Sequence, residues 1–522
     1  MALSGAGAAL RADRVPAGVH TRDDLRDQEV LGCDVAVIGS GAGGAVVAAE
    51  LAEAGFDVIV LEEGRYFSTR DFTAEASAMI RQLYRGGGAT LAMGEPAVMY
   101  QEGSTVGGST VVNGGMAWRT PEHILERWHR EHHLADVRAA DMELYFDRVE
   151  RRLHVRRQDP DTVGRDNALL KLGADRKGWR VVDNLRNQVH CAGSNNCAFG
   201  CPTGAKQSAL VSYIPRALHF GARIYSDLRA QRILHSGKRA TGVAARVVLA
   251  GGRLGARVTV RARLVVAACG AIHTPALLAR SGFRSPSGQL GHNLSLHPNC
   301  KVVAIFNEDV RGWEGVHQAY QVREFQDQGF LFAAVNIPPG ILAMSLPCYG
   351  DELGALMAQY RQMVVAGMLV EDSVVGQVRT LPGGQPLPFY QLSDVDADKL
   401  VRGTALLCEL LFEAGARRIL LPFGGVGELT SPDDIRRLTE RRIPKSRMEV
   451  VTVHVMGTAR MGGDRARAVT DPHGMVYDAD RLMVADASLF PTPIGVNPAE
   501  TISALATRNA HFVIENRRRF LT

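Results

Sequence analysis

The chain has 522 residues, of which 46% are hydrophobic and 22% charged, the composition of an ordinary globular protein with about three domain-sized units and a cleft between them. A net charge of +5 with both signs interspersed is small for this length. It argues against a nucleic-acid partner, and the Arg517 to Arg519 run reads as a solvated helix end. No run of about eighteen uncharged apolar residues occurs, so no transmembrane segment is expected.

Residues 1 to 30 are polar and irregular and read as an arm over the surface. They lack a basic start followed by a long apolar core, so no signal peptide is read and a cytoplasmic location follows by default. The first periodic unit, Asp34 to Glu62, has the pattern of a strand, a phosphate-binding turn, a helix and a second strand ending in an acid. Val35 to Ile38 suit a strand buried on both faces. Gly39, Gly41 and Gly44 fall at the G-x-G-x-x-G spacing: the first for a tight turn, the second for backbone approach to a pyrophosphate, the third for close helix packing. Val46 to Ala54 are helix formers, Gly55 is placed to end the helix, and Val58 to Leu61 form the second strand. Glu62 then stands where a carboxylate accepts hydrogen bonds from ribose hydroxyls. A dinucleotide is the expected ligand.

The Gly-rich passage from Gly94 to Pro121 implies backbone packed against something flat or phosphorylated. Helical patterns follow from Pro121 to Leu153. Arg223 to Ala268 alternates as a β-meander with Gly-centred turns, and Gly251, Gly252 and Gly255 belong to a hairpin rather than to a second phosphate loop, because no helix follows them. That argues against a separate nicotinamide domain. Residues 301 to 450 read as a mainly antiparallel sheet with covering helices, and from Val451 the chain returns to Gly-punctuated strand and helix. Pro498 stands where a helix begins, with Thr501 to Ala510 continuing it, so that its positive dipole end is free to stabilise an anion.

Four passages together resemble the glucose-methanol-choline (GMC) family of FAD-dependent oxidoreductases: VIGSGAGG with Glu62; GSTVGGSTVVNGGM; GAIHTPALLARSG; and the pair HVMGTARMG and VADASLFPTPIGVNPAETISALA. The match looks closest to the branch of long-chain alcohol and sterol oxidases and their dehydrogenase relatives. The resemblance implies an α/β (α+β) fold, with a Rossmann-like FAD-binding domain plus β-meander beside a substrate domain on a mainly antiparallel sheet. The expected division is 30–150, 221–300 and 451–522 for the FAD-binding domain, 151–220 for a cap and Cys-rich segment, and 301–450 for substrate binding. The resemblance also makes Gly108, Ser109, Asn113 and Gly114 flavin-facing, gives Asp486 a part in anchoring FAD, and sets Asn497 and Pro498 against the cofactor.

Oxidising an alcohol by hydride transfer needs a base, a group to fix the oxygen and an electron sink, which a flavin supplies. His454, an imidazole beside the Gly457 to Gly463 loop, is the expected base, and the amide of Asn497 is expected to hold the same oxygen, in the places of the family's His/Asn pair. His273, His297 and His473 are read as structural. The expected partners are a small-molecule alcohol, apolar where LFAAVNIPPGILAMSLP is read as pocket lining rather than core, two readings the sequence leaves open, with O2 or another electron acceptor, or an electron-transfer or small partner subunit. Rival readings are a non-oxidative flavin-containing member of the family, a lyase or photodecarboxylase, and a flavin-binding subunit of an electron-transferring complex. Cys191, Cys197 and Cys201 have two readings that the sequence leaves open: ligands of an iron–sulfur cluster, for which three thiolates suit a 3Fe-4S centre, or a Gly- and Cys-rich loop near the flavin.

Overall fold

The structure, a computed structural model, describes residues 15–521 apart from 347 and 441. Of the expected N-terminal arm, residues 1–14 lie outside the described residues, and Val19–His20 adds a short parallel edge strand beside Arg223–Tyr225.

Two large sheets organise the chain. The first has eight strands in the order 19–20, 223–225, 58–61, 29–38, 254–267, 239–248, 228–236, with Leu482–Val484 beside the end of 254–267. Its centre is parallel, Val35 to Ile38 pairing with Val58 to Leu61 on one side and Leu264 to Ala267 on the other. These strands are continuous runs of Val, Ile, Leu and Ala because helices cover both faces. Helix Gly44–Glu53 packs between the sheet and helix Ala499–Glu515, and Ala139–Leu153 packs on the latter. The expected meander is present as the antiparallel strands Leu228–Ser236, Arg239–Val248 and Leu254–Ala267. Arg223–Tyr225, read with the meander from sequence, instead pairs in parallel with Ile59 to Leu61. Gly251 and Gly252 take φ of 73° and 77° in the turn between the last two meander strands, which is why glycine stands there.

The second sheet has ten strands, antiparallel at its centre. Asn299–Ile305, Met363–Val370 and Phe330–Val335 lie side by side, with Thr90–Ala92, Val98–Tyr100, Val181–Asp183 and Val450–Thr452 added from elsewhere in the chain. The period of two sorts the apolar passage expected from sequence into two roles. Phe330, Phe332 and Ala334 face the core under helices Asp394–Glu413 and Arg165–Lys177, while Leu331, Ala333 and Val335 face the other way. Helices Pro339–Ser345 and Gly350–Met357 cover one end of that second face with Leu342, Leu346 and Leu356. Among the described residues no helix is long and apolar enough to cross a membrane.

Candidate active site

Backbone-to-backbone contacts shape the nucleotide end. Gly39 has φ of 100°, and a Cβ there would fall 2.3 Å from the carbonyl oxygen of Ala268. A Cβ on Gly44 would fall 2.0 Å from the oxygen of Gly39, so helix Gly44–Glu53 meets its own turn at the closest range a glycine permits. Gly41 is different: only Gly108 Cα, at 4.0 Å, lies near its missing Cβ. The tightest approach belongs to Gly43, off the G-x-G-x-x-G spacing, whose Cβ would fall 1.7 Å from Ala485 O. Gly108, with φ of 54°, brings the second Gly-rich passage to within 2.8 Å of Gly41 Cα by the same measure. Two glycine-rich loops thus meet beside a helix N-terminus, and the Ser109 side of the second loop is exposed. This cradle fits a dinucleotide.

The acids expected at the cofactor have protein partners of their own. Glu62 accepts from Ser40 N at 3.0 Å, Ser40 Oγ at 2.6 Å and Gly64 N at 2.8 Å, and Ser40 Oγ accepts from Gly107 N at 2.9 Å. Its carboxyl therefore ties the phosphate loop to the second passage, and burial raises it above the usual carboxylate range in spite of those donors. Asp486 accepts from Gly270 N, Thr274 Oγ1 and Ser488 N at 3.0, 2.5 and 2.8 Å, joining the end of one strand to the start of helix Gly270–Arg280. Asn113 Oδ1 accepts from Gly115 N, and Gly114 O from Arg186 Nη2.

The chemistry-bearing groups meet at the seam between the two sheets. His454 follows strand Val450–Thr452 by two residues, its N–H held by Thr452 Oγ1 at 3.0 Å. Asn497 precedes Pro498, the N-cap of helix Ala499–Glu515. The two side chains meet with Asn497 Nδ2 3.2 Å from His454 Nε2. A chain of anchors decides which atom donates. Arg323, its guanidinium 3.6 Å over the Trp118 ring, gives Nε and Nη2 to Gln321 Oε1 at 2.9 and 2.8 Å. Gln321 is left with its amide N–H for Asn497 Oδ1 at 3.4 Å, so Asn497 donates and His454 Nε2 accepts. Burial lowers this imidazole to about 4.

His297, read from sequence as structural, is part of the same network. Its Nδ1 lies 3.3 Å from His454 Nδ1, with the rings edge to face. Its Nε2 meets the N–H groups of Ile494 and Gly495 at 3.3 and 3.2 Å. Burial, and then His454, hold His297 well below its ordinary value. Asp372 fixes this segment: Oδ1 accepts from His297 N at 2.7 Å, and Oδ2 from Leu296 N at 2.8 Å and Tyr390 Oη at 2.9 Å. No sequence pattern announces His297 or Asp372, since φ of 46° at His297 and a contact across 157 residues are tertiary facts.

His473 stacks on Phe512 at 4.2 Å in its turn and His273 lies 3.5 Å from Glu102, both away from this pair. Val322 pairs with Phe332 on the core side, so Gln321 shares the opposite face with Leu331, Ala333 and Leu369. Asn299 and Lys301 are the polar exceptions there, opposite Leu369 and Gly367.

The iron–sulfur reading of Cys191, Cys197 and Cys201 is not met. Among the described residues no three His, Cys, Asp or Glu side chains come together as a metal site, and all eight cysteines are free thiols. A cation of the protein occupies the loop instead. Lys206 Nζ donates to Val111 O, Asn113 O and Cys197 O at 2.8, 2.7 and 2.6 Å. The thiols are turned to other donors: Cys197 Sγ accepts from Arg186 Nη2, and Cys201 Sγ from Lys206 N, both at 3.5 Å. The loop therefore braces the Asn113 passage.

Two family models described as GMC oxidoreductase match residues 80–299 and 374–506, and one described as an NAD(P)-binding Rossmann-like domain matches residues 37–92. An uncharacterized GMC-type oxidoreductase of Sinorhizobium fredii is 34% identical over 496 residues, which cover 95% of this chain and 97% of the relative. The chain belongs to the GMC oxidoreductases. It is an FAD-dependent oxidoreductase of that family. A long-chain-alcohol oxidase of Arabidopsis thaliana is 28% identical over 529 residues, 94% of this chain and 68% of the relative. Among solved structures, pyridoxine 4-oxidase of Mesorbium loti is similar in fold, with a TM-score of 0.69 at 18% identity, covering 92% of this chain and 99% of that one.

Proposed function

We infer that this GMC oxidoreductase oxidises the CH–OH group of an apolar alcohol, long-chain, terpenoid or sterol-like, to an aldehyde or ketone. The observation that carries the reading is the His454 and Asn497 pair, an acceptor and a donor 3.2 Å apart at the seam between a nucleotide cradle and an apolar sheet face. His454 Nε2 accepts the hydroxyl proton, and Asn497 Nδ2 orients the oxygen that loses it. Gly39, Gly41, Gly44 and Glu62 hold the ADP half of FAD; Gly108, Ser109, Asn113, Gly114, Asp486 and Pro498 face its flavin half. FAD, when bound, supplies the hydride acceptor. The apolar preference draws support from Leu331, Ala333 and Leu369 on the site face, and from the long-chain-alcohol oxidase among the relatives. The electrons leave to O2 or another acceptor.

The test is anaerobic mixing of the holoenzyme with a panel of alcohols. Loss of the flavin absorbance with a long-chain or polycyclic alcohol supports the reading. A flavin that no alcohol bleaches, in protein fully loaded with FAD, refutes it and favours a non-oxidative member of the family.

A further inference from the structure

One buried acid has no part in the site described. Glu500, in the first turn of helix Ala499–Glu515, is 1% exposed, and no N–H or O–H of the described residues donates to either carboxyl oxygen. It lines a small cavity of ≈ 20 Å³, space for about one water. The cavity also touches Ala42 of the phosphate loop, Asn113 and Met116. Two more polar atoms on it lack partners: the Tyr213 hydroxyl, on a residue 2% exposed, and Asn187 Oδ1, on a residue 7% exposed. Buried polar atoms are rarely left so, and four of them, from three residues around a water-sized space, describe a water site.

On its other side Glu500 meets Glu150, whose carboxyl lies within hydrogen-bond reach of it. Two carboxyls make that bond only by sharing a proton. Glu150 is held by both Arg119 Nε and Nη2 at 2.6 Å and lines an open groove of ≈ 400 Å³ with Asp147, Arg151 and His154. A buried cavity, a shared-proton pair and a solvent groove therefore follow one another without a gap.

We propose that Glu500 and Glu150 form a proton relay joining a water beside the cofactor cradle to bulk solvent. The inference rests on the oxidoreductase reading above. Each alcohol oxidised gives up a hydride, whose two electrons go to the cofactor, and one proton. A proton released beside the cradle, as when the reduced cofactor gives its two electrons to the acceptor, leaves the interior when Glu500 hands its own proton to Glu150 and takes a new one from the cavity water. Glu500, flanked by burial and by Glu150, is the member that holds the proton at rest.

The relay is tested without any alcohol. Oxidation of two-electron-reduced cofactor by two equivalents of ferricyanide releases one proton, which a pH-indicator dye in weak buffer reports while the flavin absorbance reports the electrons. In wild-type holoenzyme the two signals should coincide. In E500Q, neutral and of the same size, and in E150Q, the flavin signal should keep its rate while the dye signal lags by about tenfold or more. Coincident signals in either variant overturn the proposal. Infrared spectra of FAD-free protein give a second readout: a protonated-carboxyl band present in wild type and lost in E500Q supports the assignment, and its absence in wild type overturns it. If the lag appears but no alcohol bleaches the wild-type flavin, the relay stands and the alcohol reading falls.

Discussion

Replacing His454 with alanine is the sharpest test of the site. General-base catalysis contributes roughly 10²- to 10⁴-fold, or about 2.7–5.4 kcal/mol of barrier. The structure places this case near the lower end. Burial lowers the imidazole to about 4, so at neutral pH nearly every molecule holds it as a free base, but a base of that strength gains less from each proton it takes. His454→Ala should therefore retain FAD, since its side-chain bonds run to His297 and Asn497 rather than to the cradle, and should slow anaerobic flavin reduction by about 10²-fold. The pH profile of wild-type flavin reduction follows the same shift. The neutral form persists above about 4, so the rate should be flat from about pH 5.5 upward and fall as pH drops through about 4. Stopped-flow reduction of FAD-replete variant and wild type across pH measures both. Near-wild-type reduction by His454→Ala, or a wild-type break at the ordinary imidazole value, refutes the assignment of the base.

Three further outcomes follow from the geometry. Gly43→Ala should cost stability and FAD content together, since its Cβ would fall 1.7 Å from a backbone oxygen; Gly41→Ala, with nothing closer than 4.0 Å, should leave the FAD-free protein's Tm unchanged and weaken FAD binding alone, and the reverse order would refute the roles given to the two glycines. Lys206→Met leaves three buried carbonyls without a donor, each worth about 1–3 kcal/mol, so a drop of several degrees in the holoenzyme's Tm is expected, and an unchanged Tm would show that the ammonium does not brace the loop. His317, lowered to about 3 first by burial and then by Arg186, Lys206 and Lys301, and His454, lowered to about 4, stay neutral when folded but take protons when unfolded. The unfolded chain thus binds more protons below about 6.5, and stability should fall from there toward pH 4; His317→Phe should flatten the fall seen in a thermal series, and an unaltered slope would contradict the shift.

What could be read from sequence was what local chemistry determines. Strand, turn and helix around Gly39, Gly41 and Gly44 are set within some thirty residues, so their spacing alone exposes the cradle. The meander and the antiparallel sheet follow from alternation, which the chain keeps wherever one face is buried. The missing parts are contacts between distant segments. Gly43 looks like a spare glycine until Ala485 is seen against it, and His297 looks like a turn residue until its ring meets His454. The cysteines left two readings open for a related reason: close spacing along the chain does not decide whether three thiols aim at one point. Lys206 could have been suspected as a cation among them, but its acceptors, Val111 O and Asn113 O, lie about ninety residues away.

The last seventy residues explain why the site needs the whole chain. Val450–Thr452 belongs to the second sheet, pairing with Val98 to Tyr100, whereas Leu482–Val484 belongs to the first, pairing with Val265 to Ala267. Between and after these anchors come His454, Asn497 and the helix that packs on the phosphate-loop helix. The His454 to Asn497 distance is thus set by how the two sheets meet, not by either alone. A change confined to one domain, such as loss of the Asp372 contacts that hold His297, reaches the chemistry by moving one half of a pair whose other half is fixed elsewhere. Such changes should reduce turnover more than FAD binding, because they act on the His297 side of the seam and leave the glycine cradle in place.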